Sequence, residues 1–470
     1  MKKLRSNIRV LMLAVLVLFG ILGGYFGYSV YFYGGRWFSS SSNIRIPAQK
    51  AVVVPGTISD RTGLVLAEVN AEGSRSYPTH TAVRRAVSHV VGDSRGIVSN
   101  GAETFFASYL LGFRSGVGER FRLLLSGEQA QGDNISLTID AKLCEYAADR
   151  LDGYRAGAVV LLNYKTGEIL CSTSYPNFDT RHINETLSSS NDNGALVNRV
   201  TQGLYPPGST FKIITLASAL ENLAAVESRT FNCTGAVIVN ATTVTEASNA
   251  VHGIQDLSTA FANSCNTTFA SLALELGYSR LSRTASNFGF GDNFLFQDLV
   301  VYNSQFPTSK RSEDDLAWAG IGQGRVLVTP LHMAMIAGAI ANDGVMMEPR
   351  LLLNAVSPDG QTRAVSARRS YTRVTAESIA RTIGEYMTAC VQRGTGKKAQ
   401  ISGLTVAGKT GSAETSDDKS VKTHAWFVGY ITDDAHPLAI AVLVERGGGG
   451  GSVAAPIAQR VLKKAVELGY

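Results

Sequence analysis

Three stretches of the chain hold side chains suited to chemistry. The first is Tyr205-Pro206-Pro207-Gly208-Ser209-Thr210-Phe211-Lys212. Ser209 and Lys212 lie three residues apart, so a helix starting near Ser209 puts both on one face of its first turn. A serine hydroxyl is a weak nucleophile until a base takes its proton. Lysine serves as that base only when neutral, a state that burial and a neighbouring cation favour. The helix N-terminus also stabilises negative charge developing beside Ser209. Alone, the pair reads as a helix cap followed by a solvated lysine, since Ser-x-x-Lys arises by chance about once in a chain of 470 residues.

The second stretch is Asn263-Ser264-Cys265-Asn266, after a helical run from Asp256 to Ala262. Ser264 and Asn266 can both face a cleft from a short loop. The hydroxyl can pass a proton, and the amide can bond a peptide carbonyl or a lysine. Cys265, between two inward residues, is expected to point away. The third stretch is Val406-Ala407-Gly408-Lys409-Thr410-Gly411-Ser412-Ala413. It enters as a strand, and its glycines permit close approach of a substrate backbone. Lys409 and Thr410 offer a cation and a hydroxyl to a carboxylate. Alone, the second stretch reads as a polar helix cap, and the third reads equally as a tight turn with a surface lysine.

The elements that must position these groups are legible in outline. Pro206, Pro207 and Gly208 cannot continue a helix, so one starts at about Ser209, and Phe211, Ile213, Ile214, Leu216, Ala217 and Leu220 can bury it. Ile135–Ile139 alternates like a strand, Lys142–Leu151 reads as a helix, and Ala156–Asn163 and Gly167–Ser172 read as strands about a Lys165-Thr166-Gly167 turn. Helical patterns dominate from Thr210 to about Leu276. Strands return at Val406–Gly411, Ala425–Thr432 and Leu438–Glu445. A last helix carries Ile457, Val461, Ala465 and Leu468 on one face. The pattern predicts an α/β (mixed) fold: one sheet completed by both termini, with a helical subdomain beside it. Gly447–Gly451 lacks the Lys-Ser/Thr ending of a phosphate cradle and reads as a strand-to-helix loop.

Hydrophobic residues at 45% and charged residues at 17% exclude a disordered or fibrous chain. The net charge of +6 resides mostly in Lys2, Lys3, Arg5, Arg9 and Arg36. The remainder is close to neutral and shows no bias toward nucleic acid. As a helix, the uncharged stretch Val10 to Tyr33 spans a hydrocarbon core of about 30 Å. It is too long for a signal peptide and lacks a small-x-small cleavage site. The expectation is a single-pass anchor at 10–33, a cytoplasmic tail at 1–9 and an extracytoplasmic remainder. A linker at 34–50, containing Ser39–Ser42, then leads to a small N-terminal domain at 51–132. Gln129–Asp133 reads as the boundary to a main domain at 133–470. The five cysteines form no CxxC or Cys/His cluster along the sequence, so no metal site is expected, and they read as buried small hydrophobes. Glu313-Asp314-Asp315 reads as a solvated helix start, and His424 as a structural hydrogen-bonding residue.

Taken together, the three stretches are far more specific than any one of them. Ser-x-x-Lys, Ser-x-Asn and Lys-Thr-Gly, in that order and in the contexts of helix start, loop and strand, resemble the motif set of serine β-lactamases and penicillin-binding proteins. The flanks Tyr205-Pro206-Pro207-Gly208, Gly322-Gln323-Gly324 with Thr329-Pro330-Leu331, His424 to Tyr430 and Ser59 to Ala67 resemble penicillin-binding transpeptidases. The likeness runs from about Ala51 to the C-terminus, and is to short class B penicillin-binding proteins of the mycobacterial penicillin-binding protein A group. Pro55, where many relatives carry arginine, and the small first domain are departures that bear on partner contacts. The resemblance implies a transpeptidase domain with a central, mainly antiparallel sheet flanked by helices, and a pedestal-like or dimerisation role for the first domain. It also implies a D,D-transpeptidase acting on peptidoglycan stem peptides ending in D-Ala-D-Ala, with no cofactor. Ser209 would attack the penultimate D-Ala, and Lys212 would take its proton. The Ser209 and Ser412 amides would form the oxyanion hole. Ser264 and Lys409 would relay a proton to the leaving D-Ala. Lys409 and Thr410, beside Gly411, would hold the terminal carboxylate, and Asn266 the peptide amide. β-Lactams should acylate Ser209, and a membrane glycan polymerase is the implied partner.

Two other classes stay open at this level. A D,D-carboxypeptidase or β-lactamase on the same scaffold needs a water-activating group that the sequence does not place. A catalytically minor β-lactam-binding scaffold for a glycan polymerase would keep the fold without the turnover. The stretch between Tyr33 and Ile135 is too short for a glycosyltransferase domain of its own.

Overall fold

The computed structural model describes residues 2–38, 43–188, 194–240, 242–309, 312–416, 418 and 420–470. Continuous apolar runs build its central layer. His424–Ile431 and Leu438–Val444 are buried at every position. Gly157–Asn163 and Ile169–Tyr175 are buried at all but the last. A strand covered on both faces reads this way, without alternation. Together with Val406–Ala413 they form a five-stranded sheet in the order 406–413, 424–431, 438–444, 157–163, 169–175. Every pairing in it is antiparallel. Strands from the two ends of the main domain thus complete one sheet, as the sequence predicts.

Helices Ala141–Leu151 and Ala454–Glu467 pack on each other and on this sheet. Pro330–Ala341 and Glu377–Gln392 do the same, so the sheet lies between two helical pairs. Pro330–Ala341 is apolar all round and buried along almost its whole length, as an interior helix must be. Thr329 caps it, its hydroxyl accepting from the His332 amide at 3.2 Å, with Pro330 in the first turn. In the closing helix Ile457, Val461 and Ala465 are buried, whereas Leu468 lies past the helix end and is exposed. Beside the sheet, Lys212–Asn222, Asn266–Asn287 and Glu313–Gly320 pack successively as the helical subdomain.

A second sheet joins segments far apart in the chain. Its order is Thr362–Val365, Leu352–Val356, Asn134–Leu137, Ile58–Ser59, Val65–Val69, Arg75–Ser76. Ile58–Ser59 pairs in parallel with Ile135–Ser136, so backbone hydrogen bonds cross the boundary drawn at 132. Glu168 ties the sheets further, pairing with Arg61 at 3.3 Å and with Arg350.

The expected helical run from Thr210 to Leu276 needs correction. Residues 230–233, 236–239, 242–245 and 253–256 are strands, paired 230–233 with 253–256 and 236–239 with 242–245. Thr242-Thr243-Val244-Thr245 and Ala236-Val237-Ile238-Val239 are rich in β-branched residues, which favour a pleated surface over a helix. The helix Lys2–Phe38 contains a span, Lys3–Tyr31, long and apolar enough to cross a membrane, whose most apolar window has no buried residue. It is a candidate membrane anchor. Ser39–Ser42 lie outside the described residues, and Arg45–Lys50, within the stretch read as linker, is helical.

Candidate active site

The turn before Ser209 is built from close backbone contacts. Gly208 has φ 55°, a conformation suited to glycine, and its amide donates to the Gly322 carbonyl at 2.9 Å. A Cβ on Gly322 would lie 2.1 Å from the Gly208 oxygen, so these two backbones need glycine to meet. The Trp426 indole donates to the Pro206 carbonyl at 3.0 Å, and Thr210 Oγ1 to the Pro207 carbonyl at 2.8 Å. Gly208–Phe211 forms a 3-10 turn, and the α-helix proper begins at Lys212 rather than at Ser209. Residues three apart eclipse in a 3-10 turn, so Ser209 and Lys212 still share a face.

Lys212 is fully buried. Its Nζ donates to the Ser264 carbonyl at 2.5 Å and to Asn266 Oδ1 at 2.7 Å, and lies 3.4 Å from Ser264 Oγ. Ser264 can present both oxygens because it sits at φ 62°, a left-handed conformation uncommon outside glycine. Asp256 caps the preceding helix Leu257–Ala262, accepting from the Thr259 amide at 2.7 Å, and so fixes where this loop begins. Burial, and then the charge of Lys409, bring the Lys212 pKa down to about 7. Glu246 and the thiols of Cys265 and Cys390 oppose that shift. Lys409 is also fully buried, with its Nζ 3.1 Å from the Thr410 carbonyl and 5.5 Å from the centre of the Phe261 ring. Burial brings its pKa down to about 8.

A cleft of about 990 Å³ lies beside these two lysines, which are buried behind its lining residues. Ser209, Ser264, Asn266, Thr410, Gly411 and Ser412 line it. All six come from the three stretches singled out in the sequence. Ser412 is held by its Oγ, which accepts from the Gly450 amide at 3.1 Å. The loop Gly447–Gly451 thus braces the strand as well as bordering the cleft. A Cβ on Gly450 would come within 2.3 Å of the Gly411 and Trp426 carbonyls.

Other lining residues carried no motif. Thr395 Oγ1 and Thr410 Oγ1 share a hydrogen bond of 2.6 Å. Glu246 accepts from the amides of Asn266 at 2.9 Å and Thr267 at 2.7 Å, clamping the Ser-x-Asn turn. These hydrogen bonds hold its carboxylate below the usual pKa against the effect of burial. Nothing in the sequence near Glu246 marks it, because its partners lie about twenty residues downstream. Cys265 is buried behind the cleft lining, its Sγ 3.2 Å from Glu246 Oε1 and 3.1 Å from Thr267 Oγ1. His424 is buried and its Nδ1 accepts from the Arg446 amide at 3.0 Å, a structural role. Glu313–Asp315 forms the first turn of a helix capped by Ser312.

A buried lysine lowered toward neutral pH, three residues after a serine and near a Lys-Thr-Gly strand, is the arrangement that serine acyl transfer on a penicillin-recognising scaffold calls for. The family model described as "Penicillin binding protein transpeptidase domain" matches residues 157–463, and the chain belongs to that family. Among curated proteins, it is 32% identical over 378 residues to the peptidoglycan D,D-transpeptidase PbpA of Mycolicibacterium smegmatis, covering 75% of this chain and 76% of the relative. Among solved structures, penicillin-binding protein A from M. tuberculosis, as a ceftriaxone acyl-enzyme complex, superposes with a TM-score of 0.81 at 29% identity. That match covers 89% of this chain and 99% of the other. The D,D-transpeptidase domain of a peptidoglycan glycosyltransferase from Eggerthella lenta gives 0.78 at 32% identity, covering 88% and 98%.

Proposed function

We propose that this protein is a peptidoglycan D,D-transpeptidase that cross-links stem peptides through an acyl-enzyme on Ser209 and is inhibited by covalent capture of β-lactams. The observation that carries the reading is Lys212: buried, one helical turn from Ser209, and lowered to about 7. At that pKa a substantial fraction is neutral at physiological pH and can take the Ser209 proton. The hydroxyl oxygen attacks the carbonyl of the penultimate D-Ala. The Ser209 and Ser412 amides receive the developing oxyanion, an interaction whose removal costs about 3–4 kcal/mol in other enzymes. The proton on Lys212 passes through Ser264, with Lys409 nearby, to the departing D-Ala. An amine of a second stem peptide then attacks the ester and restores Ser209.

Lys409 and Thr410 bind the terminal carboxylate, with Gly411 allowing the strand to approach the peptide. Asn266 already spends its Oδ1 on Lys212 and its Nδ2 on the Thr245 carbonyl at 2.8 Å. A substrate amide is therefore met through the second lone pair of Oδ1. Glu246, a carboxylate at the cleft, is committed to two backbone amides, which disfavours a role in activating water. In this reading, residues 1–9 are cytoplasmic, the span is an anchor, and the cleft is extracytoplasmic beside a membrane glycan polymerase. Residues 51–132 act as a small supporting domain and 133–470 as the transpeptidase domain. That division follows function, not the backbone pairing across it.

The test is incubation of the purified protein with a D-Ala-D-Ala stem peptide and an amine acceptor, with products followed by mass spectrometry. Cross-linked product and free D-Ala in equal amounts support the proposal. Release of D-Ala with hydrolysed peptide alone would replace it with a D,D-carboxypeptidase.

A further inference from the structure

Beneath the Ser264–Asn266 loop, the fold gathers four potential metal ligands from four separate segments. Cys233 ends the strand Thr230–Cys233. Glu246 follows the strand Thr242–Thr245. His252 precedes the strand Gly253–Asp256, and Cys265 lies between Ser264 and Asn266. One ligand atom from each, two thiol sulfurs, a carboxylate oxygen and a ring nitrogen, all lie within 4.8 Å of one another. Along the chain they are too dispersed to suggest a metal site, which is why the spacing of the cysteines shows nothing.

The separations carry the argument. A tetrahedral zinc ion with bonds of about 2.0–2.3 Å sets its ligand atoms about 3.3–3.8 Å apart. Cys233 Sγ lies 3.5 Å from Glu246 Oε1 and 3.4 Å from His252 Nδ1, and Cys265 Sγ lies 3.2 Å from Glu246 Oε1. The pair of sulfurs with a nitrogen and an oxygen suits a borderline-soft divalent cation, not calcium or magnesium, which take oxygen ligands. Glu246 and His252 line the active-site cleft, so an ion has an entry path. Glu246 is itself fixed by the Asn266 and Thr267 amides, the kind of outer contact that orients a metal ligand.

We propose that Cys233, Glu246, His252 and Cys265 bind a zinc-class divalent cation. Coordination displaces the thiol protons of Cys233 and Cys265. The ion ties the arm at 230–256 directly to the residue between Ser264 and Asn266, and so fixes the loop that holds Lys212.

The experiment uses the full chain purified in detergent with its thiols kept reduced. Zinc is measured by elemental analysis and then exchanged for cobalt(II). The wild type should retain stoichiometric zinc. Its cobalt form should show intense thiolate-to-cobalt charge-transfer bands with the d–d bands of a four-coordinate ion. Cys233→Ser and His252→Ala should each weaken zinc binding by at least about tenfold, while Cys144→Ala, at a buried cysteine outside the group, should keep it. The proposal is overturned if the wild type takes up neither ion with thiolate bands, or if Cys144→Ala loses zinc equally. It is also overturned if peptide mapping of protein taken directly from membranes finds Cys233 and Cys265 joined as a disulfide. Should the two ligand variants fail to fold, the wild-type cobalt spectrum decides alone.

Discussion

Lys212 and Asn266 are locked together: the lysine nitrogen donates to Asn266 Oδ1 at 2.7 Å, and Asn266 Nδ2 donates onward to the Thr245 carbonyl at 2.8 Å. The amide holds the proposed base in place without holding its proton. Asn266→Asp would put a carboxylate against Lys212 and stabilise the charged form. Acylation by a fluorescent penicillin should then need a higher pH. Asn266→Ala should instead lose the positioning and slow acylation by about 100-fold, with little change in the pH profile. Stopped-flow labelling across pH separates the two outcomes.

The pH profile of the unaltered protein follows from the same lysine. With its pKa lowered to about 7, Lys212 becomes neutral as pH rises through that value. The acylation rate should climb with pH below about 7 and level off above it. The Lys409 charge contributes to the lowering. In Lys409→Ala that contribution is gone, the Lys212 pKa rises, and the limb should move to higher pH. The change should also weaken capture of carboxylate-bearing β-lactams. A limb that stays in place in Lys409→Ala would mean that another group sets it.

Gly322→Ala tests the backbone contact behind the nucleophile. The added methyl would meet the Gly208 oxygen at 2.1 Å, at a residue whose φ of 76° already favours glycine. Strain of about 1–3 kcal/mol is expected, and the turn carrying Ser209 must shift to relieve it. Thermal unfolding should register the loss of stability. Penicillin labelling of the folded fraction should slow in parallel.

Thr410→Val separates recognition from chemistry. The hydroxyl is shared with Thr395 at 2.6 Å and faces the cleft. Its loss should weaken initial binding of a carboxylate-bearing β-lactam by about tenfold, near 1.4 kcal/mol. The limiting acylation rate should fall less. Saturation kinetics of labelling measure both.

The sequence exposed most of the chemistry because each motif is local. Ser209 with Lys212, Ser264 with Asn266, and Lys409 to Ser412 are each set by a few residues of spacing in one element. The central strands were legible for a similar reason: Leu438–Val444 and His424–Ile431 are apolar at almost every position, and burial on both faces demands that. What escaped depends on contacts between distant segments. The pairing of Ile58 with Ile135 leaves no local mark, and neither does Glu246 under the Asn266 amide. The short strands at 230–256 lie in a stretch of weak periodicity, where only β-branched residues distinguish strand from helix.

The central claim is that Ser209 carries the acyl group. The most direct measurement is mass spectrometry of the purified protein after penicillin, with the adduct mapped to a residue and the Ser209→Ala variant run beside it. The account predicts one penicilloyl adduct on the peptide containing Ser209, and none in the variant while it remains folded by circular dichroism. An adduct that persists in folded Ser209→Ala, or that maps to Ser264 or Ser412 in the wild type, would contradict it.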